Sequence, residues 1–249
     1  MPRFLISFSY DGTDFSGWQI QPDVRTVQET LENCLQDIQG YKVKVTGSGR
    51  TDAKVHALKQ YAHFDLDNSM STEQIISALN SKLPADIIVN KCWKVKEDFS
   101  ARYDAVTRTY QYHLTLQYSP FTRNYAAWLP RMRFSKESLI CYLHFFLGKH
   151  DFSAFARQNP DLNHYRCNVI SFDLDCSQKE LIFTIKANRF LHNMVRRIVG
   201  TCLRLSHTNS NPEIIKNLLE KKEPKNYLIY TAPPQGLFLS EVEYPGINY

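Results

Sequence analysis

Arg3-Phe4-Leu5-Ile6-Ser7-Phe8-Ser9-Tyr10 sets Phe4, Ile6, Phe8 and Tyr10 on one face of the chain and Leu5, Ser7 and Ser9 on the other. That two-residue period is the mark of a β-strand. Asp11-Gly12 then supplies a turn. Further on, Thr26 with Glu29 three residues later forms a capping box, and Val27, Leu31, Cys34, Leu35 and Ile38 recur at helical spacing until Gly40. A helix with one apolar face needs a sheet to cover it. Strands are predicted over 41–46 and 60–67. Ser71 and Gln74 open a second helix through Ile75, Ile76, Leu79 and Leu83, which Pro84 ends before a strand over 87–95. The first half therefore reads βαββαβ.

The pattern restarts after Asp104. A strand is predicted over 108–116 with Tyr110, Tyr112, Leu114 and Leu116 on one face, followed by an irregular aromatic stretch over 125–130. Ser135 begins a helix whose Leu139, Leu143, Phe146 and Leu147 form a stripe before Gly148. Strands over 169–175 and 181–187 precede a helix carrying Leu191, Val195, Ile198, Cys202 and Leu205. Asn211-Pro212 caps a shorter helix, and 237–243 closes as a strand. The expected fold is α+β: two similar βα halves, residues 1–104 and 105–249, sharing a mixed, mainly antiparallel sheet with a cleft between them.

At 249 residues, 43% hydrophobic and 22% charged, the chain is long enough for a sizeable core and unlike a disordered or collagenous sequence. Its apolar stretches fall short of a membrane span and its first ten residues alternate rather than forming a leader, so a cytoplasmic location is expected. The six cysteines are scattered without a Cys-x-x-Cys pair, and the eight histidines lack zinc-ligand spacing. Neither a disulfide framework nor a metal site is suggested. The net charge of +5 divides into −2 over 1–104 and +7 over 105–249, a field in the second half suited to a polyanion.

Chemistry concentrates in Gly47-Ser48-Gly49-Arg50-Thr51-Asp52-Ala53-Lys54-Val55-His56-Ala57. Glycines permit close backbone approach, and an arginine near a carboxylate favours its ionised form, which would ready Asp52 as a nucleophile. Spacing alone favours a blander reading, in which Asp52 or Thr51 caps a short helix through Val55 and Leu58 and Arg50 is a solvated charge.

The whole string, followed by Ala62-His63-Phe64-Asp65, resembles the signature of the TruA family of tRNA pseudouridine synthases. Further segments match in order: Tyr10-Asp11-Gly12 with Gly17-Trp18-Gln19, Val27-Gln28-Glu29, Ser100-Ala101-Arg102-Tyr103-Asp104-Ala105 and Arg108-Thr109-Tyr110-Gln111-Tyr112. His150-Asp151-Phe152, Ala187-Asn188-Arg189-Phe190-Leu191 and Met194-Val195-Arg196-Arg197-Ile198-Val199-Gly200 complete the set. The resemblance implies isomerisation of uridine to pseudouridine in folded tRNA, in the anticodon stem-loop, by a homodimer that uses no cofactor and no metal. It implies Asp52 as the catalytic residue, Tyr110 as the ring that stacks on the target uracil, and Arg196 as the partner of the aspartate. Arg50 would stand near the extruded nucleotide, and Leu237 would wall the uracil pocket.

From the residues alone Tyr110 and Leu237 read as core, and Arg196, Arg197 and Arg204 as the wet face of a helix; for Arg204 that reading is kept. His56 and His63 suit packing or RNA contact equally. Lys54 and Lys59 stand where the family usually has glycine, which puts the target position in question. The alternatives are a divergent paralogue acting on another RNA uridine, a non-catalytic RNA-binding module, and a glycosidase with Asp65 or Asp67 as its second acid.

Overall fold

The strand β1 (Arg3–Tyr10) runs antiparallel between β3 (His56–Asp65) and β4 (Ile87–Val95), with Leu5 opposite both His63 and Trp93. β2 (Thr46–Gly47) pairs briefly with β3. The computed structural model describes residues 1–67, 70–222 and 226–247. These divide into one unit of Met1–Val106 with the segment from Phe238 onward, and a second of Thr107–Leu237. The sequence reading left the C-terminal segment with the second half. Its strand β10 (Leu237–Glu243) instead lies parallel to β3, with Phe238 opposite His56 and Leu239 opposite Ala57.

Both faces of β1 are covered, so Leu5, Ile6 and Phe8 are fully buried. Each is worth about 1.5–3 kcal/mol of transfer from water. One face lies against α1 (Val27–Gln39), which buries Val27, Leu31 and Leu35, and α2 (Thr72–Lys82), which buries Ile75 and Leu79. On the other, Tyr61 meets Trp93 and the edge of Tyr244. Ser71 and Gln74 make the expected capping box of α2. Thr26 does not: its side chain caps nothing, because the first amides of α1 go to carbonyls, Val27 N–H to Gly17 and Gln28 N–H to Trp18. The strand expected over 41–46 shrinks to β2, since Val45 N–H is taken by the buried Glu32 carboxylate.

In the second unit β5 (Thr107–Thr115), β9 (Glu180–Ala187), β8 (Arg166–Cys176) and β7 (Gly148–Asp151) pair antiparallel in that order, and β6 (Ala127–Trp128) lies parallel on β5. Each unit thus carries a mixed, mainly antiparallel sheet. Tyr112, Leu114, Phe183 and Ile185 are buried, as are Ile198, Cys202 and Leu205 of α4 (Met194–His207). α3 (Lys136–His144), capped by Ser135, packs on β8 and α4. α5 (Glu213–Lys221) follows, its first amide bonded to Asn211.

Candidate active site

Residues 47–57 form a tight loop between β2 and β3. Ser48 N–H reaches Tyr61 O at 2.8 Å, and a turn closes where Val55 N–H donates to Asp52 O at 3.2 Å. The chain then enters β3 at His56. The short helix that spacing favoured does not form. Thr51 is engaged elsewhere, its hydroxyl 2.7 Å from the Tyr10 hydroxyl and its carbonyl accepting from Trp18 N–H at 3.1 Å. Asp52 is therefore at the head of a turn and half-buried, while Arg50 is exposed. Lys54, third residue of the turn, takes φ 64°, the left-handed region where glycine is at home.

The loop between β1 and α1 grips this turn. A side chain at Gly12 would begin 2.1 Å from Val55 O; one at Gly17, φ +97°, would lie 2.7 Å from Thr51 O. Neither distance admits a carbon atom, so both positions are closed to other residues without movement of the backbone. Lys54 N–H donates to Phe15 O at 3.1 Å. The sequence offered one signal for this grip, two glycines at fixed offsets after Tyr10, but no pattern of charge or periodicity linked them to Asp52.

The histidines nearby are engaged within the fold. His56 is 2% exposed, stacks on Phe238 with ring centroids 4.6 Å apart, and accepts the Gly12 amide at Nδ1. His63 Nδ1 accepts the Ala101 amide, and burial with the Arg3 charge lowers its pKa. Asp65, a candidate second acid of a glycosidase, stands at the far end of β3 with both oxygens held at 2.8 Å by Arg3, which keeps its pKa below the usual carboxylate range. Lys59 faces Glu241 at 3.6 Å.

In the second unit, Tyr110 on β5 is 8% exposed and meets Phe190 edge-on with centroids 5.1 Å apart. Arg196, in the first turn of α4, donates from Nε to Ala232 O at 2.8 Å and from Nη1 to Asn193 Oδ1 at 3.0 Å. Its own carbonyl accepts from Ala232 N–H, and Gly200 lets the same segment approach, since a Cβ there would lie 2.2 Å from Tyr230 O. Tyr112 Oη donates to Pro233 O at 3.0 Å. The segment over 230–237 is thereby fixed between α4 and β5, which sets Leu237, 5% exposed, at the start of β10. Arg204 departs from the solvated reading: its guanidinium lies over Tyr230 at 5.0 Å and donates to Tyr227 O. Arg197 is drawn inward too, donating to Ala156 O at 2.7 Å.

Among the described residues, no three His, Cys, Asp or Glu side chains gather as a metal site, and no helix is long and apolar enough to cross a membrane.

A family model described as tRNA pseudouridine synthase matches residues 6–104 and 144–245. A protein of Exiguobacterium sibiricum called tRNA pseudouridine synthase A is 40% identical over 245 residues, 98% of each chain. Proteins of the same name from another Exiguobacterium species and from Maridesulfovibrio salexigens are 35% and 38% identical, covering 100% and 98% of this chain and 100% and 91% of theirs. The chain belongs to the tRNA pseudouridine synthase family.

Proposed function

We propose that this chain isomerises uridine to pseudouridine in tRNA, in the anticodon stem-loop, with Asp52 as its catalytic carboxylate. Tyr110 stacks on the target uracil, Arg50 and Arg196 bind the extruded nucleotide and steady the aspartate, and Leu237 walls the base. The protein works as a homodimer in the cytoplasm. The observation that carries this reading is the identity to tRNA pseudouridine synthase A proteins, 40% over 98% of both chains in one case.

The reaction breaks the N1–C1' bond and forms C5–C1'; the C5 proton leaves and N1 gains one. Positive charge develops at the sugar as the first bond breaks, and a carboxylate at that point stabilises it by direct attack or through its field. Asp52 suits this by standing half-buried on a turn whose backbone is tied on both sides. Lys54 adopts the backbone conformation natural to glycine, and its exposed side chain adds a charge that a phosphate can meet. The charge of +7 over 105–249 supports a polyanionic partner.

Mapping pseudouridine across total tRNA from cells with and without this protein tests the proposal. Loss of the modification at anticodon stem-loop positions is expected in its absence. An unchanged map from cells whose tRNA the purified protein still binds would replace the enzyme with a binding module, and loss at a site outside tRNA would identify a paralogue of different target.

A further inference from the structure

Beneath the Asp52 turn runs a buried chain of polar side chains. Tyr10 ends β1 at 4% exposure, and Gln60 on β3 is fully buried. A register shift between Phe8 and Tyr10 moves the pairing of β1 on β3 from Gln60 to Ala57. Gln60 Oε1 accepts from the Ser48 hydroxyl at 2.5 Å and from Tyr61 N–H at 3.1 Å. Its amide nitrogen donates to Gly49 O at 3.2 Å, so Gln60 holds the loop two residues ahead of Thr51. The Tyr10 hydroxyl shares a hydrogen bond with Thr51 Oγ1, 2.7 Å away. Burial pushes the Tyr10 pKa up to about 12, so the hydroxyl stays neutral.

Four polar side chains here sit among aromatic rings: Phe8 and Phe15 pack on the Tyr10 ring, and Trp18 packs on Phe8. A buried polar network of this kind, with its groups hydrogen-bonded, rigidifies the chain in one arrangement. What it fixes is the residue before Asp52. Thr51 is held at its hydroxyl by Tyr10 and at its carbonyl by Trp18, and beyond Asp52 the Lys54 amide is held by Phe15.

We infer that Tyr10 is a positioning residue, acting where Gln60 holds the same loop through Ser48 and Gly49: its hydroxyl sets the orientation of the Thr51–Asp52 backbone and hence the aim of the Asp52 carboxylate. The inference deepens the proposed function and rests on Asp52 being the catalytic group. Removing the hydroxyl leaves the carbonyl anchor in place, so the fold survives while the aim loosens. A misplacement of about 1 Å at a reacting group can cost up to about a hundredfold in rate; a loss of about tenfold is expected.

The test is pseudouridine formation in a single turnover at saturating enzyme, with tRNA affinity measured alongside. Tyr10→Phe keeps the ring and is expected to slow the step about tenfold with affinity within about twofold of the parent. Thr51→Val breaks the same contact from the loop side, with the same result, and decides the matter should Tyr10→Phe not purify folded. The double variant should be no slower than the slower single one, and Thr51→Ser should retain the parental rate. A Tyr10→Phe rate within about twofold of the parent, losses that multiply in the double variant, or a loss confined to affinity would each overturn the inference. Asp52→Asn in the same assay separates the two layers. If it is inactive while Tyr10→Phe and Thr51→Val are parental, only the positioning role fails; if it is active, the reading of Asp52 fails.

Discussion

Replacing Lys54 by glycine should make the protein more stable, although it deletes a whole side chain. Lys54 holds φ 64° at the third position of the Asp52–Val55 turn and is exposed, so its side chain contributes no burial to offset the backbone cost. The left-handed conformation costs a residue with a Cβ about 1–2 kcal/mol relative to glycine. Against this, glycine loses about 0.5–1 kcal/mol more conformational entropy on folding. The difference leaves the glycine variant more stable by up to about 1.5 kcal/mol, and at about 2–4 °C per kcal/mol for a chain of this size the melting temperature should rise by up to about 6 °C. Lys54→Ala serves as the control: it removes the amine and keeps the strained Cβ, so it should gain nothing. If the amine meets a tRNA phosphate, both variants should flatten the salt dependence of tRNA binding by about one unit of log–log slope. Thermal unfolding of the three proteins and salt titrations of their tRNA affinity separate the effects. A lower melting point for Lys54→Gly than for Lys54→Ala would refute the backbone reasoning, and unchanged slopes in both would refute the phosphate contact.

Gly17→Ala combines φ +97° with a methyl 2.7 Å from Thr51 O. It should destabilise the protein by about 2–4 kcal/mol, by urea or thermal unfolding, and slow catalysis further by disturbing the Asp52 turn. Tyr110→Ala should lose the stacking surface and most of the rate, while Tyr110→Phe keeps the surface and isolates the hydroxyl; a full rate for the folded alanine variant would return Tyr110 to the core. Arg3→Met should cost at most about 1 kcal/mol near neutral pH, since the pair with Asp65 is partly exposed. Asp65 has a depressed folded-state pKa, so the contribution is present above its unfolded-state pKa and fades as pH falls through the folded one. Parent and variant should converge in acid, and a gap that widens there would contradict the assignment.

Elements held by local rules were legible in the sequence. β1 follows from alternation, β4 from its place after the helix that Pro84 ends, α2 from its capping box, and α1 from its apolar stripe and Gly40, which ends it at φ 83°. Legibility failed where distant groups outcompete local ones. The Glu32 carboxylate takes an amide that a strand over 41–46 would have used, and the carbonyls of Gly17 and Trp18 make the Thr26 cap unnecessary. β3 begins at His56 rather than near Gln60 because His56 and Ala57 pair with Phe238 and Leu239, nearly two hundred residues away in sequence. β7 is four residues long and carries no period to read. At the candidate site, Asp52 and its neighbours were conspicuous through the unusual string around them. Tyr10 and Gln60 were not: an aromatic and a glutamine on strand faces look like packing until the register brings both beneath one loop.

The central claim is that the Asp52 carboxylate carries the chemistry, and Asp52→Asn tests it most directly by keeping size and shape while removing the charge. With tRNA substrate and saturating enzyme, the single-turnover rate of pseudouridine formation should fall by at least about 10³-fold, while tRNA affinity and melting temperature remain those of the parent. Turnover by the folded Asn variant within about tenfold of the parent would contradict it.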